Sequence, residues 1–231
     1  MTRIVVLSGA GLSAESGLGT FRDAGGLWAR YPLEDVATPQ GFARDPALVH
    51  DFYNARRENC IAAAPNAAHA ALARLAHVLG PELLLVTQNI DDLLERAGAP
   101  EVVHMHGEVM RALCGACEHR WDAPRAMHPG DPCPACGAAA TRPDVVWFGE
   151  YPYHLDRIAA ALAECALFVS IGTSGSVYPA AGFFAEAAGH GARTLELNLD
   201  PSENSGRFDE ARLGPAARIV PDWVDEVLAA G

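Results

Sequence analysis

The sequence predicts an α/β protein, with a doubly wound, Rossmann-like parallel sheet that carries a small inserted domain. Short apolar runs alternate with Ala- and Leu-rich stretches of helical spacing, the pattern of a parallel sheet covered by helices. Roughly 75 residues separate the first two predicted strands, whereas a parallel crossover needs only a dozen or more. A segment with four cysteines interrupts the alternation between the third and fourth strands. These two long intervals predict two insertions.

The elements follow from the positions of these runs. Strands are predicted at Ile4–Leu7, Leu83–Val86, Val102–His104, Leu167–Ile171, Thr194–Leu197 and Arg218–Val220. Helical spacing occurs at Asn66–Leu79, Asp156–Ala163 and Ala180–Ala188. We therefore assign residues 1–26, 80–106 and 144–231 to the Rossmann-like domain, residues 27–79 to a helical insertion and residues 107–143 to a cysteine-containing insertion. The two insertions are expected to pack together beside the sheet.

The composition limits the class of protein. Its 231 residues, half of them apolar, suffice for one large domain with a smaller one inserted. No apolar run is long enough to span a bilayer and no N-terminal signal pattern is visible, so we expect a cytoplasmic monomer without membrane contact. The net charge of -12 argues against broad attraction to nucleic acid. All 17 basic residues are arginine, which a GC-rich coding bias explains.

A glycine-rich stretch follows the first strand at once. Residues 9–14, "GAGLSA", fit the pattern G-x-G-x-x-[GA], in which backbone amides approach a pyrophosphate. An ordinary dehydrogenase is disfavoured, because the second strand with an acidic end that should follow about 20 residues later is missing. A glycine-rich loop without function remains an alternative, but its position directly after a strand favours ligand binding.

Three more polar segments follow predicted strands. They are "TQNID" at Thr87–Asp91, "HMHGE" at His104–Glu108 and "GTS" at Gly172–Ser174. Each alone could be an ordinary turn, but ligands of open parallel sheets bind at this edge. An imidazole there can accept a proton near neutral pH. His104 and His106 share a strand face, so a metal-binding pair is the rival interpretation.

The four cysteines form two C-x2-C pairs, Cys114 with Cys117 and Cys133 with Cys136, separated by 15 residues. This spacing is typical of a zinc site. Four thiolates leave zinc no open position, so its role is structural. A cytosolic setting disfavours disulfides, and two pairs in register disfavour a thioredoxin-like redox site. Cys60 and Cys165 stand apart as buried apolar residues.

Taken together, these motifs resemble the sirtuin family nearly end to end, and most closely its bacterial class III members. The matching segments are "GAGLSAESGLGTFR", "TQNID", "HGE", the paired cysteines, "PDVVWFGE", "GTSGSVYPAAG" and "ELNLDPS". One departure is Gly19-Thr20, where many relatives have Pro-Asp. The resemblance implies an NAD-dependent protein lysine deacylase that consumes NAD, releases nicotinamide and leaves the acyl group on ADP-ribose. Its partners are acylated lysine side chains of proteins, and its metal is one structural zinc.

The resemblance also assigns roles. His106 accepts a proton from a ribose hydroxyl, Asp91 holds the nicotinamide carboxamide, and Asn89 positions the ribose or a water. It singles out His106 from the histidine pair. Phe21 covers the reacting face and Arg22 steadies the loop and phosphates. The expected NAD contacts are Gly9, Ala10, Gly11, Ala14, Glu15, Thr20, Phe21, Arg22, Trp28, Gln88, Asn89, Ile90, Asp91, Gly172, Thr173, Ser174, Asn198, Leu199, Asp200 and Ala216. For the Ser, Asn and Asp residues, helix capping and turn formation are the alternative.

Two further features concern the acylated substrate. Residues 145–150 and 176–178 resemble the two strands between which sirtuins hold a substrate backbone, with contacts expected from Val146, Phe148, Gly149, Glu150 and Val177. Tyr53 and Arg56 lie three residues apart on a predicted helix and so share a face. This pair resembles the one that marks desuccinylases and demalonylases, because a guanidinium can grip the carboxylate of such an acyl chain. The alternative is a solvent-facing Arg56 paired with Glu58.

Two rival functions remain at this point. One is ADP-ribosyl transfer to protein, which shares the cleavage of NAD. The other is a non-enzymatic zinc-ribbon module that binds nucleic acid, against which the acidic charge balance argues.

Overall fold

The structure is a computed structural model that describes residues 3–19 and 31–230. Its strands are β1 (Ile4–Ser8), β2 (Leu83–Thr87), β3 (Val103–His104), β4 (Gly107–Cys114), β5 (Arg120–Asp122), β6 (Thr141–Val145), β7 (Leu167–Ile171), β8 (Arg193–Asn198) and β9 (Glu210–Leu213). Its α-helices are α1 (Ala10–Ala14), α2 (Leu33–Val36), α3 (Pro39–Arg44), α4 (Pro46–Ala62), α5 (Ala67–Leu79), α6 (Leu93–Arg96), α7 (Leu155–Glu164), α8 (Phe183–Gly189) and α9 (Ala216–Ala230).

The large sheet is parallel throughout, with the strand order β3-β2-β1-β7-β8-β9. One face carries Val6, Leu85 and Leu195 and packs against α5 and α9. The other face carries Leu7 and Phe168 and packs against α7 and α8. The three layers confirm the predicted doubly wound α/β class. The buried strands are continuous apolar runs because helices cover both of their faces.

One predicted strand is wrong. Residues Arg218–Val220 lie inside α9, because Val220, Trp223 and Val224 recur at helical spacing and bury one helix face against the sheet. The last strand is instead β9, which comes before that helix. Its residues alternate between half-buried and exposed at the edge of the sheet, so they form no apolar run.

Helix α5 belongs to the layer that covers the large sheet. Asn66 caps its first turn by accepting hydrogen bonds from the amides of Ala68 and His69. Its apolar side, including Leu72 and Leu75, joins the same core as β1 and β2. The sequence grouped this helix with the insertion at residues 27–79, whereas its packing places it on the sheet.

The small domain combines both insertions. A core of buried side chains joins α2 and α4 to β4 and β6, including Val36, Phe52, Val109 and Trp147. The strands β5, β4 and β6 form an antiparallel sheet in that order. Gly107 begins β4 at a φ of +76°, and a Cβ there would lie 2.2 Å from the carbonyl oxygen of Asp144, so no other residue fits this crossing into the small domain.

Within the described part of the chain, we find no helix that combines the length and the apolar character required to cross a bilayer.

Candidate active site

The order of the strands creates a crevice between β1 and β7. The chain continues to one side of β1 through β2 and β3 and to the other side through β7 and β8, so the topology switches at this point. Open α/β sheets bind ligands at such a switch point. The loops that follow β1 and β7 are in direct contact, since the amide of Gly11 donates to the carbonyl of Gly172 at 2.9 Å. A Cβ on Gly11 would lie 2.7 Å from the Cα of Gly172.

The segment after β2 reaches the glycine-rich loop through polar contacts. Asn89 donates through Nδ2 to the carbonyl of Gly9 at 3.1 Å and to Ser13 Oγ at 3.2 Å. The hydroxyl of Ser13 donates to Asp91 Oδ2 at 3.0 Å. Burial raises the pKa of Asp91. The structure thus brings the predicted Asn89 and Asp91 together at the floor of the crevice, with Ser13 between them.

His106 lies at the same edge of the sheet. Its Nδ1 is 3.1 Å from the carbonyl oxygen of Gln88. A carbonyl only accepts, so Nδ1 carries the proton and Nε2 is the basic nitrogen. Burial lowers the pKa of His106 and outweighs the opposing effect of the bond to Gln88. The ring is therefore neutral at neutral pH and can take up a proton at Nε2.

His104 has a different environment. Its Nδ1 faces the carbonyl of Asn89 at 3.2 Å and its Nε2 faces Glu95 Oε1 at 2.7 Å. Burial disfavours the charged ring, but the hydrogen bond and charge of Glu95 outweigh this and raise the pKa of His104. Both nitrogens are occupied by protein acceptors, which argues against the rival interpretation of a metal-binding histidine pair.

The residues expected near the adenosine half of NAD lie after β7 and β8. Asn198 donates through Nδ2 to the carbonyl of Thr173 at 2.8 Å, which ties the two loops together. Ser174 bonds the hydroxyl of Ser176 at 2.7 Å. Leu199 and Asp200 are exposed. These positions form one continuous rim beside the crevice.

Two expected NAD contacts, Glu15 and Ala216, lie close together because Glu15 bonds the first turn of α9. Glu15 accepts a hydrogen bond from the amide of Ala217 at 2.8 Å, next to Ala216 at the start of α9. Its carboxylate therefore caps that helix and links it to the glycine-rich loop. Four other expected NAD contacts, Thr20, Phe21, Arg22 and Trp28, lie outside the described residues.

Tyr53 and Arg56 are brought together on α4, as predicted. Tyr53 is 4% exposed, and burial raises the pKa of its hydroxyl to about 12. Arg56 is half-buried, with its guanidinium 5.9 Å from the centre of the Phe52 ring. Burial lowers the pKa of Arg56, while Tyr53 and Asp91 oppose that effect. Arg56 is therefore near enough to Asp91 for the charge of that carboxylate to affect its pKa. Glu58, the alternative partner of Arg56, forms an exposed ion pair with Arg125 instead.

The expected extended segments are shorter than predicted. Strand β6 ends at Val145, and a turn follows in which the amide of Glu150 donates to the carbonyl of Trp147 at 3.0 Å. Gly149 has a φ of +92°, which suits that turn. Both oxygens of Glu150 are already engaged, one by Arg142 at 2.6 Å and the other by the Trp147 amide at 2.8 Å. Residues 176–178 are likewise not a strand, and the carbonyl of Val177 accepts from the amide of Ala181.

The backbone nevertheless connects this segment to the crevice. The amide of Val146 donates to the carbonyl of His106 at 2.8 Å, and the amide of Phe148 donates to Ala37 at 2.9 Å. The side chain of Phe148 is 47% exposed. The turn therefore lies between His106 and the helical part of the small domain.

The four predicted cysteines form one cluster at the end of the small sheet. Their Sγ atoms all lie within 4.8 Å of one another, and two pairs, Cys114 with Cys136 and Cys117 with Cys133, are 3.7 Å apart. Zn–S bonds of 2.3 Å in a tetrahedron require S···S distances of about 3.8 Å. The amide of Ala116 lowers the pKa of the Cys114 thiol to about 7, which favours the thiolate that binds metal. The cluster fits one structural zinc ion.

Fold and site together define a dinucleotide-binding α/β protein with a zinc-ribbon insertion. The chain belongs to the Sir2 family, which matches it over residues 9–179. It is 57% identical over 231 residues to the NAD-dependent protein deacylase of Caulobacter vibrioides, covering 98% of this chain and 97% of that protein. The NAD-dependent protein deacylase of Pasteurella multocida is 51% identical, with 98% of both chains covered.

Solved structures agree with this assignment. The crystal structure of a Sir2 homologue in complex with NAD matches with a TM-score of 0.90 and 38% identity, covering 99% of this chain and 90% of that one. A mutant Sir2 homologue in complex with ADP-ribose matches with a TM-score of 0.91. NAD is therefore the dinucleotide that this crevice fits.

Several residues of the site were not predicted from the sequence. Ser13 is 1% exposed, and its Oγ lies 3.3 Å from Nε2 of the fully buried His69. The serine that bonds both Asn89 and Asp91 is therefore itself in contact with a buried histidine. Trp147 was also missed, although it contacts Tyr53. Ser13 was visible as a hydroxyl inside the glycine-rich pattern, whereas His69 lies on α5, far away in sequence, and gave no local signal.

Proposed function

We propose that this chain is an NAD-dependent protein lysine deacylase that consumes NAD and yields nicotinamide and O-acyl-ADP-ribose. The observation that carries the proposal is the state of His106. It is a half-buried, neutral imidazole at the switch point, and its tautomer is fixed by Gln88 so that Nε2 is the base. A neutral imidazole at a dinucleotide crevice suits removal of a hydroxyl proton.

NAD supplies a ribose carbon whose bond to nicotinamide breaks as the acyl carbonyl oxygen takes that position. The chain has to hold the ribose, orient the carbonyl and accept a proton from a ribose hydroxyl. His106 accepts that proton at Nε2, and the carbonyl of Gln88 stabilises the charged ring through Nδ1. The family resemblance supports this role.

Asn89 and Asp91 are proposed to receive the nicotinamide side of the crevice. Their orientation is set by Ser13, which accepts from Asn89 and donates to Asp91. Oδ1 of Asp91 accepts from the amide of Leu93 at 3.2 Å. A side chain held in this way can meet a carboxamide without first rearranging.

The pyrophosphate and adenosine would lie along the loops after β1, β7 and β8. Gly9 and Gly11 let the loop after β1 pack directly against the backbone at Gly172, so the two loops form one edge of backbone groups that a pyrophosphate can approach. Asn198 and Ser174 border the same edge. The amide and hydroxyl groups at this edge carry no charge, so they can bind the negatively charged dinucleotide although the protein as a whole is acidic.

Succinyl and malonyl groups are proposed as acyl substrates in addition to acetyl. An apolar acetyl-lysine channel has no use for a guanidinium, because its desolvation is costly. Arg56 beside Tyr53 offers a fork and a hydroxyl for a terminal carboxylate. Protein substrates with dicarboxylic acyl-lysine match this chemistry.

One assay tests the class of reaction. Acetyl-, succinyl- and malonyl-lysine peptides are incubated with and without NAD, and the products are identified by mass spectrometry. NAD-dependent loss of the acyl group with release of nicotinamide and O-acyl-ADP-ribose is expected. Transfer of ADP-ribose to protein without deacylation would favour ADP-ribosyl transfer. No reaction with any acyl peptide would refute the proposed deacylase activity.

The role of Arg56 is tested by Arg56→Met. We expect kcat/KM for succinyl-lysine to fall by roughly 10- to 100-fold, because a charge-assisted contact contributes about 1.5–3 kcal/mol. Acetyl-lysine turnover should change far less. The exposed Arg74→Met variant, which breaks only an ion pair with Asp225, is the matched control. Equal losses for both acyl groups would show that Arg56 supports the fold rather than reading the acyl chain.

A further inference from the structure

The hydroxyl of Tyr53 carries a hydrogen-bond donor in a buried position. The indole Nε1 of Trp147 donates to its hydroxyl oxygen at 3.0 Å. Indole nitrogen is a donor only, so the phenol must accept in this bond and keeps its own proton to donate. Within residues 3–19 and 31–230, that proton meets no acceptor. A buried donor without an acceptor is costly unless a ligand supplies one.

Trp147 is itself firmly held. The guanidinium of Arg142 lies 3.5 Å from the centre of its ring, and Phe42 packs against it at 5.1 Å. Arg142 in turn forms two hydrogen bonds with Glu150, at 2.6 and 2.9 Å. With an exposed fraction of 2%, the indole has little freedom to move its N–H away from Tyr53.

We propose that Trp147 is a positioning residue for acyl-chain recognition. Its N–H holds the oxygen of Tyr53 so that the phenolic proton is directed to the terminal carboxylate of a dicarboxylic acyl group beside Arg56. This inference rests on the proposed function and adds a residue that does not touch the substrate. The same turn carries Trp147 and its support from Glu150, whose Oε2 accepts from the Trp147 amide at 2.8 Å.

The mechanism predicts a specific kinetic signature. The acyl carboxylate is remote from the reacting carbonyl, so its contact with Tyr53 is equally strong in the ground state and in the transition state. Loss of such a contact raises KM and leaves kcat nearly unchanged. Acetyl-lysine has no carboxylate, so its KM should stay constant. General damage to the fold would instead affect both substrates.

The experiment is a double-mutant cycle with Trp147→Phe and Tyr53→Phe. Steady-state kinetics are measured with succinyl- and acetyl-lysine peptides of one sequence at saturating NAD. We expect Trp147→Phe to raise KM for the succinyl peptide about 3- to 10-fold, as loss of one hydrogen bond implies. In the Tyr53→Phe background, the second change should have almost no further effect, because the oxygen that Trp147 holds is absent.

Matched controls separate positioning from packing. Trp223→Phe removes the same atoms from another buried tryptophan, in the core between α9 and the sheet, and reports the general cost of the change. Parallel losses on succinyl and acetyl peptides in Trp147→Phe, or an undiminished effect in the Tyr53→Phe background, would overturn the inference. If the wild-type enzyme deacetylates but does not desuccinylate, the acyl assignment fails and the inference with it. Normal desuccinylation by Trp147→Phe refutes the inference alone.

Discussion

His104 and His106 show how neighbouring residues of one type acquire opposite properties. Each donates through Nδ1 to a carbonyl of the segment after β2. Only His104 has a carboxylate at its other nitrogen, and Glu95 raises its pKa, while burial lowers that of His106. The first is therefore held as a cation and the second as a neutral base. The partner at Nε2 decides which histidine can accept a proton.

The role of the neutral base is tested by His106→Ala. The change removes the proton acceptor and leaves the apolar core intact, so deacylation should fall by roughly 100- to 10,000-fold. NAD affinity, measured by calorimetry, and the melting temperature should change little. A variant that turns over like the wild type would contradict the proposed mechanism.

The pH profile of the wild-type enzyme provides the corresponding check. A base acts only when deprotonated, so kcat/KM should rise with pH through the pKa of His106 and then level off. Because burial lowers that pKa, the acidic limb should lie below the ordinary histidine value of about 6.5. A limb well above that value would assign the base to another group.

At the scale of residues, the sequence predicted the site residues that lie in motifs. It did not predict the residues whose role depends on contacts between distant parts of the chain. His106, Asn89 and Asp91 follow strands, so their positions could be inferred from the edge of the sheet. The bond between Trp147 and Tyr53 joins residues 94 positions apart, and no local pattern marks it. The same holds for Ser13 and His69.

At the scale of elements, α4 connects the proposed acyl pocket with the zinc-binding part of the small domain. Arg57 is 1% exposed and donates to the carbonyl of Val109 at 2.9 Å and to Met127 Sδ at 3.3 Å. Asn54 donates to the carbonyl of Met127 and accepts from its amide. Tyr53 lies one helical turn before Arg57 on α4 and Arg56 directly before it, so both side chains start from the helix that these bonds hold in place. The position of the pocket thus depends on an intact zinc module.

Removal of zinc should therefore unfold the cysteine-containing insertion and abolish activity indirectly. Small metal sites of this kind contribute folding energy directly, and two acceptors of Arg57, at Val109 and Met127, lie within this insertion. Chelation should lower the melting temperature and the far-UV circular dichroism signal together with turnover. Added zinc should restore all three. A metal-free preparation that melts and turns over like the native protein would show that the structural role is wrong.

At this scale, the accuracy of the predicted elements depended on how deeply each element is buried. Strands buried on both faces were located within one or two residues, because they are unbroken apolar runs. The edge strand β9 lacks such a run, and the last strand was predicted instead at apolar residues that belong to α9. The segment at residues 145–150 was predicted as extended, but Glu150 turns back on Arg142 and Trp147. Side-chain contacts of this kind override a β-rich composition.

At the scale of the whole molecule, the composition has a chemical consequence. The chain has 17 arginines and no lysine, so none of its side chains can carry an acyl-lysine modification. Coding bias explains the composition, and regulation of the enzyme through acylation of its own lysines is excluded either way. Only an amine at the N-terminus could react in the same manner.

We therefore expect full activity after prolonged treatment with succinyl-CoA. The measurement is deacetylation of a peptide after removal of the donor, together with intact mass. A relative that contains lysines, treated in parallel, serves as the control for the reactivity of the donor. Loss of activity without any modification at the N-terminus would contradict this expectation.

The bond between Glu15 and the amide of Ala217 also has a consequence for how the protein is made. These two residues are 202 positions apart in the chain. At a synthesis rate of 5–20 residues per second, the ribosome needs roughly 10 to 40 s to travel from one to the other. During that interval the glycine-rich loop has emerged, but the helix whose first turn Glu15 caps does not yet exist. A nascent chain can thus form β1, β2 and β3 early, whereas β7, β8 and β9 are synthesised late and the nucleotide-facing loop gains this anchor only with α9.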